Sequence, residues 1–273
     1  DSNFMFVLAA RLGWRPVTNQ AFLTQAYAWM RGHALSDGRY PATSHAWLDS
    51  YYPTGTSGPA SVSVSANMQG LYAVALRALK DLGVNVPQAE IDAAQAQYRA
   101  LVVDGRLRAH EGTNRVDVSS LIGDALSLFI WNQPILTDAV VQQTVASFAE
   151  VYDSSNRFVG YKVVSEFDGS FLSPSMFPVE NGGAGTAAGD YQNGGSWLLY
   201  DALALYSGAR HAIPSMRATY IDRFVRRLAA ELRAGVRNGA ALGKSHEFLC
   251  TVANAGASCG PFGDGAADRT TRG

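Results

Sequence analysis

Apolar residues recur every three or four positions through most of this chain, which is the spacing that one buried face of an α-helix produces. Eight segments with this pattern predict eight helices: 1–13, 18–31, 65–83, 87–103, 116–131, 134–152, 198–207 and 214–234. In the second segment the predicted buried face contains Phe22, Tyr27 and Met30. No alternating run is long enough to predict a central sheet, although part of 157–164 is compatible with a small hairpin. The pattern therefore predicts an all-α fold.

Two connections are longer than those of compact domains usually are, which favours a functional role for them. They span 33–61 and 153–190, and both are rich in Gly, Ser, Pro and aromatic residues. Short links pair the other helices into antiparallel hairpins, so we expect the long loops to gather at one end. Four such hairpins arranged around an axis would form an α/α toroid, and we expect this toroid to be incomplete.

The composition is that of a well-buried globular protein, with 47% hydrophobic and 16% charged residues in a chain of 273. We expect a single domain over 1–273. The 22 Lys and Arg against 23 Asp and Glu give a formal net charge of −1, which predicts neither a nucleic-acid partner nor binding to an anionic membrane. The most basic segment, 217–237, carries its arginines at helical spacing, and we interpret it as a solvent-exposed helix face. No apolar run reaches the roughly 18 residues of a membrane span.

The chain opens at Asp1 without an initiator Met or the features of a signal peptide, so we expect it to be truncated at both ends. The compartment therefore stays open between cytoplasmic and secreted, and the oligomeric state is not predicted. The only two cysteines are Cys250 and Cys259. They predict either a local disulfide in an exported protein or two free thiols.

The stretch 190–197 combines residue types that suit an uncharged, hydroxyl-rich ligand. Gly194 and Gly195 carry no Cβ and allow a close approach to the backbone. The amides of Gln192 and Asn193 offer donors and acceptors, and Trp197 offers a flat apolar face. The alternative is an ordinary turn leading into a helix, with Trp197 in the core. Both interpretations stay open at this level.

Three segments carry a resemblance to a known family. The stretch Tyr191-Gln192-Asn193-Gly194-Gly195-Ser196-Trp197, followed by an apolar helix, resembles the sugar-site loop of six-hairpin (α/α)6 glycosidases, which include neutral invertases and debranching-enzyme-like hydrolases. The opening Asp1-Ser2-Asn3-Phe4 is similar to the segment that holds their general acid. Lys244-Ser245-His246-Glu247-Phe248-Leu249 resembles the later segment that holds their second carboxylate. His246 stands where invertases have Pro, and Leu249 where they have a second aromatic residue, so substrate identity does not carry over.

The resemblance implies a six-hairpin toroid that hydrolyses an O-glycosidic bond with inversion and without a cofactor or metal. Glu247 would be the general base and Asp1 the general acid, and in an inverting enzyme such carboxyls lie roughly 6.5–9.5 Å apart to admit a water. The substrate would be an oligosaccharide or a small glycoside. The resemblance implies that the following residues bind it: Tyr191, Gln192, Asn193, Gly194, Gly195, Trp197 and His246.

Several features leave alternatives to these assignments. Asp1 is equally compatible with a plain helix N-cap, and a free α-amino group beside it would hold its carboxyl ionised. The acids of the long loops would then be substitutes: Asp37, Asp49, Asp168 and Glu180. The aromatic residues of the first long loop would either extend the sugar platform or pack the loop: Trp47, Tyr51 and Tyr52.

Other functions stay compatible with the same residues. An inverting phosphorylase would use phosphate in place of water, and Lys162 or Lys244 would contribute to its binding. A non-catalytic carbohydrate-binding scaffold and an inactive fragment are further alternatives. The spacing around Asp264 and Asp268 does not match an EF-hand, and no nucleotide-binding loop or metal motif is present.

Overall fold

The computed structural model describes residues 2–14, 17, 19–41, 64–153, 155–174, 188–189, 193–237 and 249–251. These residues form eight α-helices, one 3-10 turn and six short strands, so the fold is mostly α, as the periodicity predicts. The helices are α1 (Ser2–Arg11), α2 (Gln20–His33), α3 (Ala66–Asp81), α4 (Gln88–Ala100), α5 (Ile122–Trp131), α6 (Asp138–Ser147), α7 (Leu198–His211) and α8 (Pro214–Arg237). The 3-10 turn, Val118–Leu121, leads directly into α5.

The helices pack in a regular alternation. The odd-numbered helices contact one another in chain order, from α1 through α3 and α5 to α7. The even-numbered helices pack against them: α2 and α4 contact α3, and α6 and α8 contact α7. The central member is α3, where nearly every side chain is buried. The core is therefore built around α3 and the helices on either side of it.

Two of these helices approach each other closely at a pair of glycines. A Cβ placed on Gly123 of α5 would lie 2.4 Å from the Cα of Gly70 on α3. Real Cβ atoms do not approach a backbone so closely, so neither position tolerates a side chain unless the helices move apart. These two glycines set the spacing of α3 and α5.

The six strands form three separate antiparallel pairs. They are β1 (Val102–Val103) with β2 (Arg106–Leu107), β3 (Arg115–Asp117) with β6 (Val164–Glu166), and β4 (Glu150–Tyr152) with β5 (Phe158–Tyr161). Part of 157–164 does form a small hairpin, but β5 forms it with the preceding β4 and not with β6, which pairs with β3. Only Lys162 and Val163 separate β5 from β6, and neither is a residue that favours a tight turn.

Several helix boundaries differ from the predicted ones for local reasons. The sixth helix begins at Asp138 and not at Pro134, because the Oγ1 of Thr137 accepts a hydrogen bond from the Val140 amide and caps it.

The second helix continues through Gly32. Its buried face contains Leu23, Ala26, Tyr27 and Met30, whereas Phe22, predicted to be buried, is 55% exposed.

A series of paired backbone segments crosses one end of the helices. Pro41 pairs with Val64, and Ser65 pairs with His110. The amide of Ala109 then donates to the Arg115 carbonyl at the start of β3, which continues the series to β6. This series joins the residues that immediately precede α3 to those that precede the 3-10 turn.

The same series continues beyond β6. The Val163 amide donates to the Gly195 carbonyl over 3.0 Å, and Ser196 and Leu249 exchange backbone hydrogen bonds of 2.8 and 2.7 Å. The Thr251 amide donates to the Gly189 carbonyl. The helix α3, the 3-10 turn and α7 therefore all begin at this end of the molecule, which we call the start face.

A groove of about 760 Å³ lies between α1, α5, α7 and α8, and its lining is apolar. Large side chains on its walls are exposed, among them Trp14 at 72% and Phe129 at 60%. Surfaces of this kind commonly mark an interaction site. Among the described helices, none combines the length and apolar character that a membrane crossing requires.

The arginine-rich helix α8 differs from its predicted character. We interpreted its basic side chains as a solvent-exposed face, and Arg217, Arg223 and Arg226 do lie at or near the surface. The prediction is wrong for Arg227, whose side chain is 0% exposed. The reason is a set of buried partners, of which Glu231 lies on α8 itself and Asp201 and Ser196 precede α8 in the sequence.

Candidate functional site

The Asn193–Trp197 segment lies on the start face and is held by a tight turn. The Gly189 amide donates to the Asn193 carbonyl over 2.8 Å. Gly194 has a φ of +90°, and a Cβ there would lie 2.5 Å from Cε1 of Phe171. Both the backbone angle and the neighbouring ring therefore require glycine at this position.

Asn193 lies wholly inside the protein. Its side chain is buried, and Nδ2 donates to the Leu172 carbonyl over 3.3 Å. This contact fixes the Asn193–Trp197 segment against the segment after β6. The predicted role of Asn193 in binding a sugar stays a prediction, and the contacts described here are those of a residue that shapes the turn.

Trp197 lies at the boundary between core and surface. It is half-buried and packs against the core, and its ring stacks on that of Tyr200 with centroids 5.4 Å apart and an interplanar angle of 13°. Stacking on Tyr200 fixes the orientation of the indole. The arrangement suits a preformed aromatic platform as well as a partly buried packing residue.

Lys162 lies next to this turn and is engaged by its own neighbours. Its Nζ donates to the Gly169 carbonyl over 2.7 Å and stands 3.7 Å from the centre of the Phe171 ring. Burial lowers the pKa of Lys162, and the nearby Asp168 opposes that effect. The ammonium group therefore supports the ring that packs on Gly194.

The segment 249–251 lies beside the Asn193–Trp197 segment. Besides the two backbone bonds between Ser196 and Leu249, the Oγ1 of Thr251 donates to the Gly194 carbonyl over 2.6 Å. Cys250 is disulfide-bonded, so of the two predicted alternatives, a disulfide or two free thiols, the structure has the disulfide. The chain contains one other cysteine, Cys259. Glu247 precedes Leu249 by two positions in the sequence.

Several residues predicted for the site lie outside the described residues. They are Asp1, Trp47, Asp49, Tyr51, Tyr52, Glu180, Tyr191, Gln192, Lys244, His246, Glu247, Asp264 and Asp268. Of the predicted sugar-binding residues, the structure describes Asn193, Gly194, Gly195 and Trp197. All four lie within the short segment 193–197 on the start face.

The two described substitutes for the general acid are surface turn residues. Asp37 accepts a hydrogen bond from the Arg39 amide, which is the main cause of its lowered pKa. Asp168 accepts hydrogen bonds from Ser170, and these lower its pKa in the same way. A general acid needs a carboxyl that keeps its proton near neutral pH. The environment of both residues works against that role.

A buried ionic network lies directly behind Ser196. No pattern in the sequence predicted it. Nε of Arg227 donates to Oδ2 of Asp201 over 2.7 Å, and its Nη1 donates to Oε2 of Glu231 over 2.9 Å. Its Nη2 donates to the Ser196 carbonyl over 3.3 Å. Burial raises the pKa of Asp201, and the charge of Arg227 opposes this. The only signal in the sequence was the four-residue spacing of Arg227 and Glu231.

A second buried carboxyl lies on the start face at Asp117. Its Oδ1 accepts hydrogen bonds from the amide and the hydroxyl of Ser119, so Asp117 caps the 3-10 turn. Burial raises the pKa of Asp117 to about 6, although the bonds from Ser119 oppose this. The side chain is only 2% exposed, so we interpret Asp117 as a buried structural cap.

A third polar cluster joins α5, α6 and α7 inside the helical core. Oδ2 of Asp124 lies 2.8 Å from Nε2 of His211 and accepts a hydrogen bond from the Ser207 hydroxyl. Nδ1 of His211 lies 2.8 Å from Oδ1 of Asp138. Burial alone would lower the pKa of His211, but the two carboxylates outweigh it and raise the pKa. This cluster stabilises helix contacts.

Within the described ranges, no group of three or more His, Cys, Asp or Glu side chains is arranged to hold a metal ion. Comparison with known proteins adds no assignment. No protein-family model matches this chain, and no curated protein matches it.

Proposed function

We propose that the protein is an inverting glycoside hydrolase of the six-hairpin type. The observation that carries this proposal is the backbone pairing of Ser196 with Leu249. Ser196 belongs to the Asn-Gly-Gly-Ser-Trp stretch, and Leu249 follows Glu247 by two positions. The last residue of the segment that resembles the base segment therefore pairs with the stretch that resembles the sugar loop, although the two are far apart in the sequence.

The packing of the helices supports an α/α toroid. The odd-numbered helices contact one another in chain order, and each even-numbered helix packs on an odd-numbered one. This is the alternation expected when hairpins are repeated around an axis. Pro41 and Val64, which pair with each other on the start face, lie on either side of most of the first long connection, and the second connection, which contains β5 and β6, returns to this face at Gly189. This agrees with an active site at that end.

In the proposed mechanism Glu247 accepts a proton from water, which attacks the anomeric carbon. Asp1 donates a proton to the leaving oxygen as the glycosidic bond breaks. Trp197 provides an apolar face for the sugar ring, and the buried Gly194 and Gly195 shape the turn that precedes it. The ligand is neutral and rich in hydroxyl groups, in keeping with the carboxamide of Gln192, whereas Asn193 is buried and shapes the turn.

Hydrolysis is favoured over phosphorolysis because the described cation next to the turn is already engaged. Lys162 donates to the Gly169 carbonyl and stands over the Phe171 ring, and its pKa is lowered by burial. A phosphorylase needs a cation that is available to the attacking phosphate. The engaged ammonium group makes Lys162 a poor candidate for that task.

The test is hydrolysis of a panel of neutral oligosaccharides by the wild-type protein and by Glu247→Gln, with Asp168→Asn as a control that removes an exposed turn carboxylate. We expect Glu247→Gln to abolish release of reducing sugar while the circular dichroism spectrum stays unchanged, and Asp168→Asn to retain activity. The first product observed by NMR should have the inverted anomeric configuration.

Full activity of Glu247→Gln would exclude Glu247 as the base. Turnover that requires added inorganic phosphate would indicate the phosphorylase. Saccharide binding by the wild-type protein without any turnover would indicate a carbohydrate-binding scaffold.

A further inference from the structure

Arg227 is the largest fully buried side chain among the described residues, and on the same helix Arg217, Arg223 and Arg226 lie at or near the surface. Burying a guanidinium group is costly unless every part of it is paired. Here the three nitrogens named above each have an acceptor on a different segment or turn: Asp201 of α7, Glu231 of α8 and the Ser196 carbonyl. One acceptor for each nitrogen fixes the position and the plane of the group.

The acceptors connect Arg227 to the start face from two sides. Asp201 accepts a hydrogen bond from the Ser196 hydroxyl over 2.7 Å and one from the Tyr161 amide over 3.2 Å. Ser196 is therefore bound through its carbonyl by Arg227 and through its hydroxyl by Asp201. The strand β5, which ends at Tyr161, is bound by the same carboxylate.

A glycine on β5 makes room for this arrangement. Gly160 has a φ of +138°, and a Cβ there would lie 2.0 Å from Oγ of Ser196 and 2.6 Å from Oδ2 of Asp201. The contact is possible only because position 160 has no side chain. The strand, the serine and the carboxylate are therefore packed together without spare volume.

We propose that Arg227 is a positioning residue for the start face. It fixes Ser196 and thereby sets where Trp197 and the segment 249–251 lie relative to each other. Ser196 is the common point, because Trp197 follows it directly and Leu249 exchanges two backbone hydrogen bonds with it. The effect of Arg227 on turnover rests on the proposed function, whereas its effect on the geometry of the segment rests on these contacts alone.

The guanidinium shape is what this role requires. A lysine would keep the positive charge beside Asp201, but one ammonium group does not reproduce the planar fork that reaches Asp201, Glu231 and the Ser196 carbonyl together. Arg227→Lys should therefore retain part of the positioning, and Arg227→Met should lose it. Arg226→Met is the matched control, because Arg226 is its exposed neighbour and pairs only with Asp222 among the described residues.

The first measurement is amide hydrogen exchange, which does not depend on any activity. In Arg227→Met we expect exchange in 193–197 and 249–251 to rise at least about tenfold, while α3 amides keep their protection, as expected for a local opening. Arg227→Lys should give an intermediate increase, and Arg226→Met none. If Arg227→Met does not fold, Asp201→Asn weakens the same anchor and should raise exchange in the same two segments.

The second measurement is steady-state hydrolysis by the same variants. Misplacement of a platform relative to a base lowers the rate of the chemical step. We expect kcat to fall about tenfold or more in Arg227→Met with a smaller change in KM, and Arg227→Lys to recover part of the loss. Arg226→Met should match the wild type.

The outcomes separate the two proposals. Local exchange that rises as expected in a protein without hydrolytic activity would support the positioning role and overturn the proposed function. Exchange that rises equally in all helices, or in none, would overturn the positioning role even if the wild type hydrolyses a glycoside.

Discussion

Nε2 of His211 lies 2.8 Å from Oδ2 of Asp124, inside the contact between α5 and α7, where both side chains are almost wholly buried. Asp138 completes the cluster from α6, but its side chain is 80% exposed, so Asp124 is the stronger partner. The pair therefore ties the stability of the helical core to pH.

The sign follows from the direction of the pKa shift of His211. Burial opposes the charged ring, but the two carboxylates raise the folded-state pKa above the unfolded value of about 6.5. The contribution is complete below that unfolded value and is lost as pH rises through the folded pKa. We expect the free energy of unfolding, measured with urea, to fall as the pH rises above the unfolded pKa of about 6.5.

A His211→Gln variant should remove this dependence and lower stability at about pH 6 by roughly 1–3 kcal/mol, because Asp124 loses a buried charged partner. His33→Gln is the control, since His33 lies at the surface of α2. An unchanged pH profile in His211→Gln would contradict the assignment of the dependence to this pair.

The contact between α3 and α5 predicts opposite effects for two helical glycines. Gly123→Ala should destabilise the protein by roughly 1–3 kcal/mol, because its Cβ would meet the Gly70 backbone at 2.4 Å and the helices must separate. Gly32→Ala in α2 meets nothing within 4 Å and should be neutral or stabilise by up to about 1 kcal/mol. Thermal and urea unfolding of both variants checks this difference in sign.

The turn at Gly194 predicts a loss with two separable parts. Gly194→Ala must adopt a φ of +90° and bring a Cβ to 2.5 Å from the Phe171 ring. We expect a loss of about 1–3 kcal/mol in unfolding free energy and faster amide exchange in 193–197. Adding Phe171→Ala removes the collision but not the backbone strain. In a double-mutant cycle the loss in the double mutant should therefore be smaller than the sum of the two single losses.

Gly112→Ala is the control for the backbone strain alone. Its φ is +76°, and a Cβ there meets nothing within 4 Å. A loss at Gly194 no larger than that at Gly112 would mean that the Phe171 ring yields without cost.

The buried carboxyl of Asp117 predicts a variant that is harmless or stabilising. Its pKa is raised from 3.8 to about 6 by burial, so the folded state binds the proton more tightly, and stability decreases as pH rises through this range. Asp117→Asn keeps an oxygen for the Ser119 amide and hydroxyl and removes the buried charge. Stability at pH 7 should be unchanged or higher, by roughly 3 kcal/mol at most. Asp117→Ala, which loses both bonds, should be less stable than the wild type in the same urea titration.

Local periodicity was sufficient for the helices, because the burial of residues such as Phe4, Val7 and Leu8 follows the 3.6-residue repeat. It was insufficient where the partner lies far along the chain. Strand β6 pairs with β3, with Arg115 opposite Glu166, across a separation that a short window does not cover. Strand β5 pairs with the nearby β4, whose residues the periodicity assigns to the sixth helix. The same limit applies to Arg227, whose partner Asp201 is 26 residues away, so an arginine that looks solvent-exposed in the sequence is buried in the fold.

Three helical segments begin on the start face, at Ala66, Val118 and Leu198, and their peptide dipoles direct partial positive charge toward it. Asp117 and Asp201 offset this at the second and third of these starts, whereas the first turn of α3 carries no acidic residue. At the start of α3 the partial positive charge is not offset within the first turn, so a cationic ligand is disfavoured there. Under the proposed function, neutral lactone-like inhibitors should therefore be preferred over positively charged iminosugars of the same shape.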